Sequence, residues 1–323
     1  MSDKKSILVT GGAGFIGSNL VEALLSDPRV GKVRVMDNLA TGFMKNFESY
    51  MDDPRFEFEQ GDIRDYSSCV SACTGIDIIS HQAALGSVPR SIQDPLTTND
   101  VNITGTLNIL NAAVQSNVRR VVFAASSSTY GDSSGLPKVE DRIGRPLSPY
   151  AVTKYVNEIY ADVFARTYGL EFIGLRYFNV FGRRQDPDGA YAAVIPLFFK
   201  AAIQNISPVI NGDGNFSRDF TYIDNAIEAN LLSLFTEDSK AVNQIYNVAC
   251  GQQITLNTLW SNIKEISGSS VDVIHGPNRV GDIAHSLADI QKAKSLLEYT
   301  GHISVEEGLK RAYNFYKMET RHA

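Results

Sequence analysis

The stretch TGGAGFIG at residues 10–17 constrains this chain more than any other. Three glycines, Gly11, Gly14 and Gly17, stand between a short apolar run at residues 6–10 (SILVT) and a helix-type segment reaching about Ser26. Where a buried strand turns at once into a helix, the first glycine permits the tight turn. The second lets backbone approach a pyrophosphate, and the third lets the helix lie close to the sheet. The helix N-terminus then offers N–H groups and the positive end of a dipole to an anion. Twenty residues past Gly17 stands Asp37, at the end of a second strand-type run, residues 32–36 (KVRVM). Its carboxylate can accept from both hydroxyls of an adenosine ribose and would repel a 2′-phosphate, so the pattern predicts NAD rather than NADP. Phe15 and Ile16 in the turn, and Asn38 beside the acid, belong to the same predicted cofactor site. Asp62 and Ile63, after a third run at Phe56–Gln60, are candidates to meet the adenine; a turn-forming aspartate is the alternative.

Further Val/Ile-rich runs fall at residues 76–80, 120–125 and 171–176, with helical apolar spacing over residues 100–115. Near-continuous apolar strands alternating with helices predict an α/β fold, a Rossmann-type doubly wound parallel sheet covered on both faces. After Asn179 the chain is broken by Pro187, Gly189, Pro196 and Pro208. Its 323 residues suit two domains. Residues 1–178 plus 218–251 are expected to hold NAD, and 179–217 plus 252–323 to form a smaller mixed α/β substrate-binding domain.

A net charge of −6 argues against a nucleic-acid binder. An anionic small molecule would need a few well-placed arginines to overcome that sign. Three cysteines, Cys69, Cys73 and Cys250, make no disulfide framework, and without a nearby His or Cys partner Cys69 and Cys73 predict ordinary thiols rather than a metal site. The N-terminus has only a five-residue apolar run before its glycines, which predicts no signal peptide and no membrane span. The cytoplasm is the expected location.

Tyr150 and Lys154 lie in SPYAVTK. Ser148 can cap a helix and Pro149 suits its first turn, and the i, i+4 spacing then puts phenol and ammonium on one face. A tyrosine with pKa about 10 is a poor base at neutral pH. An ammonium about 4 Å away at an effective dielectric of ~20 is worth roughly 4 kcal/mol, about three pKa units. With the positive nicotinamide ring, that shift would bring the phenol near 7, where a general base works best. A bare YxxxK spacing also occurs on ordinary exposed helices; behind a complete dinucleotide loop it carries more meaning.

The segments TGGAGFIG, HQAA (81–84), SSSTYGD (126–132) and YAVTK (150–154) together resemble the extended short-chain dehydrogenase/reductases, in order and over essentially the whole chain. The resemblance implies Ser126 as a third catalytic residue, relaying a sugar proton to Tyr150, with Ser127 and Ser128 as further sugar contacts. It also implies Gln82, Ala83, Ala84 and Tyr177 on the cofactor. Ala124–Ala125 departs from relatives that often carry serines there. The second half looks like the UDP-sugar 4-epimerases. In YFNVFGRRQDP (177–187) the likeness assigns Asn179 and Gln185 to the substrate; in NGDGNFSRDFTYIDN (211–225) it assigns Arg218 to the diphosphate; in RVGDIAHSLAD (279–289) it assigns Arg279 to the diphosphate and Asp282 to the uridine ribose. The implied reaction oxidises carbon 4, turns the 4-keto sugar while UDP stays clamped, and reduces it from the other face.

Two features narrow the sugar. The position that gates the sugar pocket in such epimerases is Ser286, small enough to admit a 2-acetamido group. LGSVPRS (85–91) resembles the bacterial subgroup preferring N-acetylated sugars, with Gly86 and Ser87 leaving room. UDP-N-acetylglucosamine/UDP-N-acetylgalactosamine is therefore the expected pair, ahead of their uronic-acid forms and of UDP-glucose/UDP-galactose. A nucleotide-sugar 4,6-dehydratase needs an acid–base pair where Ser127 and Ser128 stand, and a UDP-glucuronate decarboxylase shares only the scaffold. A non-catalytic NAD-binding regulator would usually have lost one of Tyr150, Lys154 and Ser126. Helices over 100–115 and 149–168 resemble those that pair relatives across a two-fold axis, implying a homodimer through a four-helix bundle.

Overall fold

Strand β1 (Lys5–Thr10) turns Ile7 and Val9 to one face and Leu8 to the other, all three fully buried. Alternate strand residues point to opposite faces, so such a strand belongs inside a sheet covered on both sides, each side chain contributing about 1.5–3 kcal/mol. The structure, a computed structural model, describes residues 4–277 and 284–322. In it β1 pairs in parallel with β2 (Val30–Asp37), which carries β3 (Phe56–Gln60) on its outer side. On the other side of β1 follow β4 (Ile78–His81), β5 (Arg120–Ser126) and β6 (Glu171–Tyr177), all parallel. Short strands come next: β7 (Val180–Phe181), β8 (Val209–Asn211), β9 (Ser217–Arg218) and β10 (Thr221–Tyr222). Then come β11 (Gln244–Val248), β12 (Ile254–Thr255) and β13 (Ile274–Gly276). β11 joins β6 to close a seven-stranded sheet of order β11-β6-β5-β4-β1-β2-β3. β7–β10, β9–β12 and β8–β13 form separate two-stranded pieces. The strand order reverses between β1 and β4, and the crevice at their carboxyl ends is where such sheets bind ligands.

Helices cover both faces. In chain order they are α1 (Phe15–Ser26), α2 (Tyr66–Cys73), α3 (Val88–Gln93), α4 (Pro95–Asn99), α5 (Gly105–Gln115) and α6 (Pro149–Tyr168). After these come α7 (Val194–Gln204), α8 (Ile223–Phe235), α9 (Leu256–Ser267), α10 (Gln291–Leu297) and α11 (Val305–His322). Leu20 and Leu24 of α1 and Ile223 and Ala226 of α8 pack on one side; Cys69 of α2, Ile109 of α5 and Phe164 of α6 pack on the other. The first core continues through Phe198, Trp260 and Leu309 into α7, α9 and α11.

The expected Pro149–Tyr168 helix is present with the ends its sequence encodes. Ser148 accepts from the Ala151 N–H, Pro149 fills the first turn, and Gly169 ends the helix at φ +73°. Arg176 of β6 holds this helix to the sheet by a forked pair with Glu158 at 2.7 and 2.8 Å, both side chains buried. Three expectations shift. The helix read over 100–115 opens with a π-type turn at residues 100–104 before α5. The second strand begins earlier, at Val30, and the fourth runs from Ile78 to His81, with the Asp77 carboxylate just before it accepting from the Ser6 N–H. Cys69 and Cys73 are buried free thiols that burial pushes up to about 12.

Candidate active site

A cavity of about 640 Å³ opens at the carboxyl ends of β1, β2, β4, β5 and β6. Its floor is the glycine loop. Gly11 has φ +67°, and a Cβ there would lie 2.6 Å from the Ala83 nitrogen. A Cβ on Gly17 would lie 2.2 Å from the Gly11 oxygen, so this glycine lets α1 press onto the loop. Gly14 precedes α1 without a side-chain cap, and its Cβ direction meets only the Gly11 oxygen, at 3.3 Å. Together the glycines leave bare backbone and the first turn of a helix facing the cavity, with Phe15 and Ile16 in its lining.

Asp37 ends β2 and accepts from the Ala13 and Leu39 N–H groups at 2.9 and 2.8 Å. Burial raises its pKa, against the pull of those two bonds. Asn38 donates to Asp62 at 2.9 Å, and Arg64 forks onto the same carboxylate at 2.7 and 3.0 Å, holding it well below the usual range. Asp62 and Ile63 line this end of the cavity with Thr41 and Arg64, two residues the sequence reading did not include. Arg64 was within reach of it, because an arginine two places after an acid can fold back on it. Ala83 and Ala84 form the next stretch of wall, and buried His81 bridges Thr10 and Thr106 at 2.7 and 3.0 Å. Burial pushes that imidazole down to about 3, so it is neutral.

Ser126, Tyr150 and Lys154 converge on the same cavity. Ser126 ends β5 and caps the short turn that follows, accepting from the Ser128 N–H at 3.1 Å. The Ser128 hydroxyl folds back onto Ser126 at 2.9 Å, and Ser128 is absent from the cavity lining, whereas Ser127 is part of it. Lys154 is buried; its ammonium donates to the Ala124 carbonyl at 2.8 Å and lies 5.9 Å from the Tyr150 ring centre. Burial brings it down to about 8. Tyr150 departs from expectation: burial raises its phenol above 10, opposed by the neighbouring Ser126 hydroxyl. The reason is geometric. The enclosed site disfavours the phenolate, and the Lys154 ammonium is turned toward the Ala124 carbonyl.

Gly86 faces open space, with nothing within 4 Å of its Cβ direction. Ser87 takes φ +100° and caps α3, its hydroxyl accepting from the Arg90 N–H at 3.3 Å. Tyr177, Gln82, Asn179 and Gln185 line the opposite wall, and the Gln185 Oε1 is buried with no partner among the described residues. Arg218 and Ser286 lie beyond this cavity. Arg218 donates to the Ser217 and Ala284 carbonyls at 2.9 and 3.1 Å, and the Ser286 N–H donates to Ser217. Arg279 and Asp282 fall outside the described residues.

A dinucleotide loop on a doubly wound sheet, with Ser, Tyr and Lys meeting above it, defines an NAD-dependent enzyme scaffold. The chain matches the NAD dependent epimerase/dehydratase family over residues 7–249 and belongs to it. It is 38% identical to a putative UDP-glucose 4-epimerase of Methanocaldococcus jannaschii, over 98% of this chain and 99% of that one. Among solved structures it is similar to the UDP-N-acetylglucosamine 4-epimerase of Methanobrevibacter ruminantium in complex with UDP-N-acetylmuramic acid (TM-score 0.92, 38% identity, covering 98% and 99% of the two chains). It is also similar to the UDP-glucose 4-epimerase of Thermus thermophilus in complex with NAD (TM-score 0.87, 34% identity, covering 97% and 99%). NAD is the cofactor of this chain. The bare glycine loop and the Asp37 carboxylate fit its pyrophosphate and ribose. Among the described residues, no helix is long and apolar enough to cross a membrane.

Proposed function

We propose that this enzyme is a UDP-sugar 4-epimerase and that its principal pair is UDP-N-acetylglucosamine and UDP-N-acetylgalactosamine. The observation that carries the reading is the convergence of Ser126, Tyr150 and Lys154 on one cavity whose sugar side is left open at Gly86. Similarity to an acetyl-sugar epimerase over nearly the whole chain supports it. Bound NAD supplies the oxidation and reduction at carbon 4. Tyr150 removes the proton of the 4-hydroxyl and later returns it, with Ser126 bridging sugar oxygen and phenol. Lys154 remains protonated at neutral pH and favours the phenolate. Its charge opposes the cost of burial that raises the Tyr150 pKa, and oxidised NAD held here would add positive charge in the same sense.

We assign Gly11, Gly14, Phe15, Ile16, Gly17, Asp37, Asn38, Asp62 and Ile63 to the adenosine and pyrophosphate of NAD. Gln82, Ala83, Ala84, Tyr150, Lys154 and Tyr177 belong to its nicotinamide end. Residues 179–217 and 252–323 supply the sugar-nucleotide side, where Arg218, with Arg279, clamps the diphosphate. α6 exposes Val152, Ile159 and Val163 on its outer face, which supports a homodimer through that helix; sedimentation as a monomer would remove this assignment. The M. jannaschii relative favours a second reading, UDP-glucose/UDP-galactose. Assays of the purified protein with UDP-N-acetylglucosamine, UDP-glucose and UDP-N-acetylglucosaminuronic acid separate these. Tyr150→Phe should abolish epimerisation while UDP binding persists; full activity in that variant would refute the proposed role.

A further inference from the structure

Asn230 lies on α8, fully buried, and is absent from the cavity lining, yet it bonds two side chains that form the wall. Its amino group is 2.7 Å from the Ala226 carbonyl oxygen and 2.8 Å from the Tyr177 hydroxyl. A carbonyl only accepts, so Nδ2 faces both, and Oδ1 is left facing the Gln82 Nε2 at 3.1 Å. The same Nε2 donates to the Ser80 hydroxyl at 3.0 Å. Gln82 Oε1 therefore accepts from the Tyr177 hydroxyl, 3.2 Å away. Asn230, Tyr177 and Gln82 close a ring in which each donor meets an acceptor, and the Ala226 carbonyl sets the sense of the whole ring.

The place of the ring in the sheet gives it a role. Gln82 follows β4 and Tyr177 ends β6. The strand between them is β5, which ends in Ser126, and Ser126 stands beside Tyr177 in register. We infer that Asn230 is a positioning residue that locks Gln82 and Tyr177, on either side of the strand carrying Ser126, into the one orientation that receives the nicotinamide end of NAD. The inference rests on the assignment of this cavity to NAD. The ring also keeps the second tyrosine out of the chemistry. The Tyr177 hydroxyl donates to Gln82, and burial pushes its pKa up to about 12, so Tyr150 has no rival for the sugar proton.

Removing the Asn230 amide leaves three buried groups, the Tyr177 hydroxyl, the Gln82 amide and the Ala226 carbonyl, each one partner short, a change on the order of tenfold in an equilibrium. The test is the rate at which the purified holoenzyme loses NAD on dilution, with kcat and KM measured in parallel. Asn230→Ala and Tyr177→Phe should each release NAD roughly tenfold faster and lower kcat with KM for the UDP-sugar unchanged. The double variant should be little worse than the worse single one, because both act through one ring. Asn230→Leu keeps the approximate side-chain bulk without any polar group, so it should behave like alanine; it also serves if Asn230→Ala does not fold. Unaltered NAD release in the Asn230 variants, or fully additive effects with Tyr177→Phe, would overturn the role. Asp37→Ala, at the far end of the cavity, tests the NAD assignment separately. If that change leaves NAD release unaltered, the cavity reading fails. If it speeds release and the Asn230 variants do not, only the positioning role falls.

Discussion

Lys154→Met should make the protein more stable while disabling it. The ammonium is buried, with the Ala124 carbonyl as its hydrogen-bond partner, and burial alone accounts for its fall from 10.5 to about 8. At 1.36 kcal/mol per pKa unit, keeping this group charged costs the folded state roughly 3 kcal/mol. The direction with pH follows from proton counting. Below about pH 8 both folded and unfolded chains hold the proton, and the penalty is complete. Between about 8 and 10.5 the unfolded chain holds more protons, so stability rises with pH and the penalty fades. Methionine has similar bulk and no charge, but it forfeits the bond to Ala124, worth about 1 kcal/mol. The net gain at pH 7 is about 2 kcal/mol, a rise in Tm of roughly 3 °C for a chain of this size. Calorimetry should be run on protein stripped of NAD, so that altered cofactor affinity does not mask the effect. The Tm difference from wild type should shrink from pH 8 to pH 10, and kcat should fall by roughly a hundredfold or more. A variant melting at or below wild type at pH 7, or a difference indifferent to pH, would refute the electrostatic account.

Glu158→Gln strands the buried Arg176 guanidinium and should cost about 3–5 kcal/mol in urea unfolding; a loss below about 1 kcal/mol would contradict the pair's role in seating α6. Gly17→Ala places a methyl 2.2 Å from the Gly11 oxygen, so it should lower Tm and strip NAD from the purified protein, both measurable on one preparation. Ser286→Tyr should lower kcat/KM for the acetylated pair while sparing UDP-glucose and UDP-galactose; equal losses would remove the gating argument.

Local chemistry made much of this molecule readable from sequence. The glycine spacing around residues 10–17 and the Ser148–Pro149 start of α6 act within one or two turns of chain, and both stand where the sequence puts them. The parallel sheet was readable too, because strands such as 120–125 are apolar on both faces. What escaped depends on distance along the chain. β11 is an ordinary-looking segment until it meets β6, and the Gln82–Asn230 bond joins residues 148 positions apart. The inward turn of the Ser128 hydroxyl onto Ser126 is a local choice of partner that spacing alone does not decide. Spacing shows the charge beside Tyr150 but not the desolvation of the phenol, which raises its pKa.

The strand ends that carry Ser126 and Tyr177 are welded into a sheet, whereas the segments proposed to face the sugar, residues 85–87 and 284–289, lie outside that sheet. Redox machinery and appetite are thus built on separate mechanical foundations. A lineage can retailor the perimeter, trading one hexose for another, while the apparatus that shuttles the proton is inherited untouched.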